Sequence, residues 1–353
     1  MSQSNESRSS RIIALDVGDR RTELARREGG VIVHEELRTT PEALRARFAD
    51  EAPCTVVFEA GSQSAWIAWL LADLGHRPLV VHARRLKVIT ASYRKTDRTD
   101  AEWLLCLAEA GADLLGSVQV RSRAQQVDLA LLRTREQLTS MRSSAILSVR
   151  SQAKLFGAAL PSGGPAAFPR RARAGLPPDV LAACEPLLVQ IEQITDALGR
   201  IERTIESLAE RRYPETACLR QVPSIGPLTA LTAVLTLQSS DRFTRSREVG
   251  PVVGLVPKQR ASGSSDPELR ITKLGDRELR RLLVLAAHRI VRQSAPDSDL
   301  KRFGERLMAR GGKNAKKRAI VAVARKLAML LVALWKSGEV YQPLRQAELA
   351  AAA

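Results

Sequence analysis

Aromatic side chains are scarce in this chain, at 4% of 353 residues. That argues against a surface built of base-stacking platforms. The four cysteines, Cys54, Cys106, Cys184 and Cys218, are scattered, with no C-x-x-C pair and no histidine spacing suited to zinc. A zinc module is therefore excluded, and the pattern suits a reducing cytoplasm. No apolar run is long enough to span a bilayer without a charge, so no membrane partner is expected. The first ten residues are polar and Ser-rich, which reads as a disordered tail and not as a secretory leader. Acid is also in deficit: 38 Asp and Glu stand against 55 Lys and Arg, a net charge of +17. A field of that size favours nucleic acid or an anionic surface. A basic protein that does not stack bases is expected to hold nucleic-acid backbones.

The N-terminal part reads as alternating short elements. Ile12-Ile13-Ala14-Leu15-Asp16 is an apolar strand ending in an acid, and two more polar segments follow on either side of Gly29-Gly30, as in a hairpin. Thr40-Pro41-Glu42 opens a helix, with Thr40 as its cap and Pro41 in the first turn. Val56-Val57-Phe58-Glu59 is a second apolar strand ending in an acid; a helix from Ala65 to Leu74 and a strand over residues 77–81 come next. The predicted order is β-β-β-α-β-α-β, closed by a helix over residues 101–112.

Just before that helix lies Lys95-Thr96-Asp97-Arg98-Thr99-Asp100-Ala101. Asp97 and Asp100 share a face if the helix has already begun, since residues i and i+3 point the same way. Thr99 or Asp100 serving only as the helix cap is the plainer reading. Asp16 and Glu59 at strand ends have plain readings too, as a turn residue and as an acid favoured by a helix dipole. Two acids on neighbouring strands nevertheless repel unless a cation lies between them. A hard divalent ion with oxygen ligands, Mg²⁺ or Mn²⁺, is the usual compensation. Asp16, Glu59, Asp97 and Asp100 are thus four candidate metal ligands.

These four acids, in the wording Ala-Leu-Asp-Val-Gly, Phe-Glu-Ala-Gly-Ser and Lys-Thr-Asp-Arg-Thr-Asp-Ala, resemble the RuvC-like domain of the DEDD transposases of IS110-type insertion elements. The resemblance implies an RNase-H-like mixed sheet, with all four acids holding divalent metal.

Farther on, residues 124–155 read as an amphipathic helix with Arg133, Arg135, Arg142 and Arg150 on its polar side, either solvated or laid along a phosphate backbone. Residues 157–175, rich in Pro, Gly and Ala, read as a linker. Residues 180–208 carry a long stripe of Leu and Ile at steps of three, four and seven, with Glu192, Glu202 and Glu206. Coiled-coil dimerisation is the favoured reading, and an intramolecular hairpin with residues 124–155 is the alternative. The turn Val222-Pro223-Ser224-Ile225-Gly226-Pro227 is similar to that of a helix-hairpin-helix, where backbone N–H groups meet a phosphate, or is an ordinary turn before a buried helix.

A Ser-Gly-Ser-Ser turn at residues 262–265 is flanked by Arg260, Arg270, Lys273, Arg277 and Arg280. A serine needs a base, a metal or strong charge stabilisation to attack phosphorus, and these cations could supply the last. Read alone, the turn is a surface loop. The stretch from Leu219 to Arg281, with Ile271-Thr272-Lys273-Leu274-Gly275-Asp276, is similar to the C-terminal domain of the same DEDD family, which implies that Ser262 is the nucleophile, with Ser264 and Ser265 as fallbacks. Lys313, Lys316 and Lys317 add a second basic patch before an apolar helix over residues 319–335.

The expected class is therefore α/β plus α. A tail (1–10) precedes a RuvC-like domain (11–120), a coiled-coil region (121–212), a mostly helical C-terminal transposase domain (213–345) and a final tail (346–353). The resemblance implies a DNA transposase that cuts and rejoins donor and target DNA through a phosphoserine intermediate. It also implies guidance by a bridge RNA from the element, a homo-oligomer from dimer to tetramer with a composite active site, and a bacterial, nucleoid-associated setting. The alternative is a RuvC-like nuclease or Holliday-junction resolvase in which water attacks.

Overall fold

The structure is a computed structural model that describes residues 11–82, 96–111, 115–260 and 269–345. The chain divides into two compact units, residues 1–124 and 125–353. It is a mixed α/β protein with one five-stranded sheet and, among the described residues, twelve α-helices.

The first unit is built on strands β1 (Ile12–Val17), β2 (Arg21–Glu28), β3 (Val31–Arg38), β4 (Thr55–Glu59) and β5 (Arg77–Val81), in the order β3-β2-β1-β4-β5. β1, β4 and β5 are parallel, while β2 runs antiparallel to both β1 and β3. Gly29 and Gly30, at φ of 54° and 88°, make the tight turn between β2 and β3. Two consecutive positive φ values match the right-handed twist of a hairpin, and only glycine adopts them without strain.

Alternation along the strands sorts their side chains to two faces. Ile13, Leu15, Leu24, Val56, Phe58 and Val80 pack against α1 (Pro41–Phe48) and α2 (Ser64–Asp73). Ala14, Ala25, Val57, Leu79 and Val81 point the other way, onto α3 (Asp97–Gly111) through Ala101, Leu104, Leu105 and Ala108. Thr40 caps α1 as expected, its hydroxyl accepting from the Ala43 N–H at 3.2 Å. α3 starts earlier than its sequence suggests. Thr96, not Thr99 or Asp100, supplies the cap oxygen, accepting from the Thr99 N–H at 3.2 Å, and Asp97 and Asp100 fall inside the first turn.

The second unit holds two long helices, α4 (Arg123–Leu155) and α6 (Pro178–Arg211), joined through α5 (Phe168–Gly175). Four contacts fix them as an antiparallel pair: Gln152 with Cys184, Arg142 with Thr195, Arg135 with Glu202, and Asp128 with Arg212. The favoured reading of this stripe as a coiled-coil dimer seam gives way to the intramolecular hairpin. Val180, Cys184, Leu188, Ile191, Ile194, Leu198 and Ile205 are already buried within one chain. Nor is the whole of residues 157–175 a linker. Phe168 and Ala172, one helical turn apart, are buried against Val149, Ala153 and Val180, and the Arg150 guanidinium lies over the Phe168 ring.

The remaining helices are α7 (Thr216–Arg220), α8 (Pro227–Leu237), α9 (Val249–Val252), α10 (Arg277–Ile290), α11 (Asp299–Ala309) and α12 (Ala315–Ser337). α8 is buried from Thr229 to Leu237, and α10 and α12 pack around it in a core that also takes in Leu129, Leu132 and Ile205 from the long helices. No described helix is long and apolar enough to cross a membrane.

Asp128 ties the hairpin to this core. It is 4% exposed and accepts from Arg212 Nη1 at 2.8 Å and from the Tyr213 hydroxyl at 2.7 Å. Burial and the adjacent carboxylate push the Tyr213 hydroxyl up from its usual range, so it stays a donor. Asp128→Ala strands a buried hydroxyl and should cost about 3 kcal/mol, whereas Asp128→Asn, which keeps an acceptor, should cost less. Thermal unfolding of both variants checks this, and equal losses would count against the hydrogen-bond account.

Candidate active site

The acids at the strand ends are placed by register. β1 and β4 pair from Ile12 with Thr55 to Leu15 with Phe58, so the next positions, Asp16 and Glu59, stand side by side at the C-terminal ends of two parallel strands. Both share parity with Ala14 and Val57, which lie under α3. Glu59 pairs in turn with Val81 of that same cluster.

α3 brings the other two acids to the same end. Arg27 Nη2 donates to Glu109 at 2.8 Å, and His34 lies between Glu23 and Glu102, with Nε2 2.7 Å from Glu102 Oε1. Along β2 the order Glu23 to Arg27 therefore matches Glu102 to Glu109, so α3 runs with β2 and against β1. Glu23 is the register partner of Asp16. The N-terminal turn of α3, with Asp97 and Asp100, thus points to the end where Asp16 and Glu59 finish. Asp97 and Asp100 also lead into the stripe of Ala101, Leu104 and Ala108 that faces the sheet. All four predicted acids share one face and one end.

Here the strand order changes direction between β1 and β4, the position at which open sheets leave a crevice at their carboxyl ends. A small cleft of about 150 Å³ lies there, lined by Gly18 and Asp19 on one side and by Glu59, Ser62, Gln63 and Ser64 on the other. Gln63 clamps the two sides together. Its amide Nε2 donates to the Gly18 carbonyl at 3.3 Å and the Asp19 carbonyl at 3.2 Å, while its Oε1 accepts from Trp66 Nε1 at 3.2 Å. Gly18 must be small, since a Cβ there would lie 2.6 Å from the Arg21 carbonyl oxygen.

Four carboxylates with no thiolate or imidazole suit a hard cation such as Mg²⁺ or Mn²⁺. Among the described residues, no group of three or more His, Cys, Asp or Glu is already close enough to hold a metal ion. The fold gives the four acids a common face and a common end of the sheet.

In the second unit, Ser262 and its fallbacks Ser264 and Ser265 lie outside the described residues, but the base of their loop is well defined. The Lys258 N–H donates to the Arg270 carbonyl at 3.0 Å, the Thr272 N–H to the Val256 carbonyl at 2.8 Å, and the Lys273 N–H to the Gly254 carbonyl at 3.1 Å. This makes a hairpin neck. At its foot the chain crosses itself so closely that a Cβ on Gly254 would meet the Leu274 carbonyl oxygen at 2.0 Å, and one on Gly275 the Val252 oxygen at 1.7 Å. Arg280, expected among the nucleic-acid contacts, has a structural task. Its Nη1 donates to the Val253 and Leu274 carbonyls, each at 3.0 Å, and locks the crossing. Arg260, Arg270, Lys273 and Arg277 are exposed around the neck.

Lys313, Lys316 and Lys317 are exposed at the start of α12. That first turn has no acidic residue and no side-chain cap. Cations there oppose the helix dipole, so an anion such as a phosphate is the stabilising partner. The arginines of α4 are less available: Arg135 pairs with Glu202, and Arg150 donates to the Leu160 and Pro161 carbonyls.

Residues 216–303, which enclose the neck and its loop, match the family model described as the transposase IS116/IS110/IS902 family. The chain carries a transposase domain of the IS110 type. Similarity extends well beyond that domain. The transposase for insertion sequence element IS1111A of Coxiella burnetii is 27% identical over 297 residues, 82% of this chain and 79% of the relative. The "Probable family 20 transposase" of Pseudomonas aeruginosa is 28% identical over 327 residues, 89% and 94% of the two chains. The transposase for element IS1328 of Yersinia enterocolitica is 29% identical over 240 residues, 67% and 70%.

His34, Glu102 and Gln63 are absent from the sequence-based site. For His34 the signal is polarity at an inward position, since it and Glu23 share strand parity with core Ala25. The neck of the IS110-type domain makes a direct prediction. Gly275→Ala combines φ of 80° with a backbone collision and should destabilise the second unit by about 3 kcal/mol or more. Gly311→Ala, at φ of 70° but with nothing within 4 Å of a Cβ, should cost only about 1 kcal/mol. Paired thermal melts separate the two, and similar losses would mean that the crossing is not tight.

Proposed function

We propose that this protein is the DNA transposase of an insertion element, with a RuvC-like first unit and a serine nucleophile in its IS110-type domain. The observation that carries this reading is the convergence of Asp16, Glu59, Asp97 and Asp100 on one face and end of a β3-β2-β1-β4-β5 sheet, in a chain whose second unit matches a transposase family. In the proposed reaction, Asp16, Glu59, Asp97 and Asp100 hold a divalent ion. When bound, Mg²⁺ or Mn²⁺ supplies positive charge at the scissile phosphate and favours deprotonation of the attacking hydroxyl.

Ser262 Oγ attacks phosphorus. The Oγ–P bond forms, the P–O3′ bond breaks, and the proton lost by the serine ends on the departing 3′ oxygen. Reversal with a 3′ hydroxyl from another strand rejoins DNA and frees the serine. Arg260, Arg270, Lys273 and Arg277 neutralise the phosphoryl oxygens, and Lys313, Lys316 and Lys317 hold backbone phosphates farther along. Guidance by a bridge RNA and assembly from dimer to tetramer belong to the same proposal. They are supported by resemblance to the DEDD family and by a charge of +17 that accommodates both RNA and DNA.

The test is a denaturing gel of protein with end-labelled element DNA. Wild-type protein should give a covalent protein–DNA species that Ser262→Ala abolishes and Ser264→Ala retains. Asp97→Asn should lower its rate of formation at least 100-fold, as for loss of one group from a charge-stabilising site. Metal-dependent cleavage by Ser262→Ala with no covalent species would establish water as the nucleophile and the nuclease alternative.

A further inference from the structure

The four proposed ligands come from three separate elements, β1, β4 and α3. Asp16 and Glu59 are fixed by strand pairing. Asp97 and Asp100 ride on α3, whose first core contact, Ala101, is a single methyl. A methyl group at the end of a helix does little to resist tilting. Polar ties hold α3 to the sheet at two levels. Arg27 grips Glu109 at the far end, with Nη2 to Oε2 at 2.8 Å. Nearer the acids, His34 on β3 meets Glu102 through Nε2 at 2.7 Å, while its Nδ1 is 3.4 Å from Glu23 Oε1. The His34 side chain is 8% exposed and that of Glu102 39%, so the contact is buried on the histidine side and open to water on the other.

We infer that His34 is a positioning residue that, through Glu102, sets the first turn of α3 so that Asp97 and Asp100 face Asp16 and Glu59. Glu102 lies five residues after Asp97 and two after Asp100 on the same helix, about 7.5 Å and 3 Å of axial rise. Fixing Glu102 laterally fixes the turn above it. Glu23, whose Oε1 lies 3.4 Å from the other ring nitrogen without a hydrogen bond to it, is the register partner of Asp16, so the ring stands between the helix and the residue paired with the first ligand. Outer residues that orient ligands in this way commonly govern metal affinity by 10–100-fold. This inference rests on the proposed metal site.

The experiment measures Mn²⁺ binding to the full chain by electron paramagnetic resonance, alongside kcat and KM for DNA cleavage. His34→Ala should weaken Mn²⁺ binding by about tenfold or more and lower kcat while KM for DNA stays unchanged. His34→Gln, which keeps an N–H donor directed at Glu102, should recover most of the affinity. Glu102→Ala, at a half-exposed position that leaves the ring in place, should match His34→Ala, and the double variant should be no worse than either. If His34→Ala does not fold, Glu102→Ala decides the question. Mn²⁺ affinity within twofold of wild type in the folded variant overturns the inference. Asp97→Asn is titrated in parallel. If it abolishes binding while His34→Ala does not, only the positioning role fails. If neither changes binding, the metal site itself fails and the positioning role with it.

Discussion

Register between β1 and β4 is the constraint on which the candidate site depends. Side chains alternate with a period of two, so a slip of one residue would turn Asp16 away from α3 and into the cluster of Leu15, Phe58 and Ile67. Burial prevents the slip, because Ile13, Leu15, Val56 and Phe58 are each 0% exposed on one face and Ala14 and Val57 are 0% exposed on the other. A sheet that is apolar on both sides has one acceptable pairing. The acids inherit their positions from that pairing, not from any local preference of their own.

The same logic explains the side-chain sizes around α3. Ala14, Ala25 and Ala101 at the sheet–helix contact are small, which lets the helix approach closely. Close approach sets the first turn of the helix on the same end of the sheet as Asp16 and Glu59, but it gives up the mechanical hold that larger side chains would provide. Polar ties at His34–Glu102 and Arg27–Glu109 make up that hold at two levels of the helix. If the four acids gather as proposed, like charges meet at this end of the helix, and such ties matter more there than in an ordinary core.

Much of the first unit was legible in the sequence because its signals are local. Apolar strands ending in acids, the Gly-Gly turn and the Thr-Pro helix start each specify their own structure. The errors came where the deciding partner is distant in sequence. The stripe on α6 is as well suited to a second chain as to α4, and only the pairing of Gln152, Arg142 and Arg135 with their partners on α6 decides between them. Residues 157–175 look like a linker until Phe168 finds Arg150 and Val149. The structural task of Arg280 is equally hidden, because nothing nearby in sequence shows that two carbonyls, at Val253 and Leu274, converge on it. For the acids the sequence offered residue types and spacing, while their shared face and end required the sheet order and the direction of α3.

The two units solve different problems with different means. In the proposed reaction carboxylates gather around a cation, which calls for freedom to rotate, and the first unit carries them on strand ends and a helix turn, with Glu59 lining a cleft. The proposed attack by a serine hydroxyl on a phosphate calls instead for a loop with a firm base. In the second unit the neck from Gly254 to Gly275 provides that base, with glycines at the crossing and a guanidinium bridging both strands. Exchanging the two designs would fail on physical grounds. A rigid neck would hold acids in mutual repulsion, and a loop anchored only by strand ends would leave a serine unable to hold the in-line geometry that displacement at phosphorus requires.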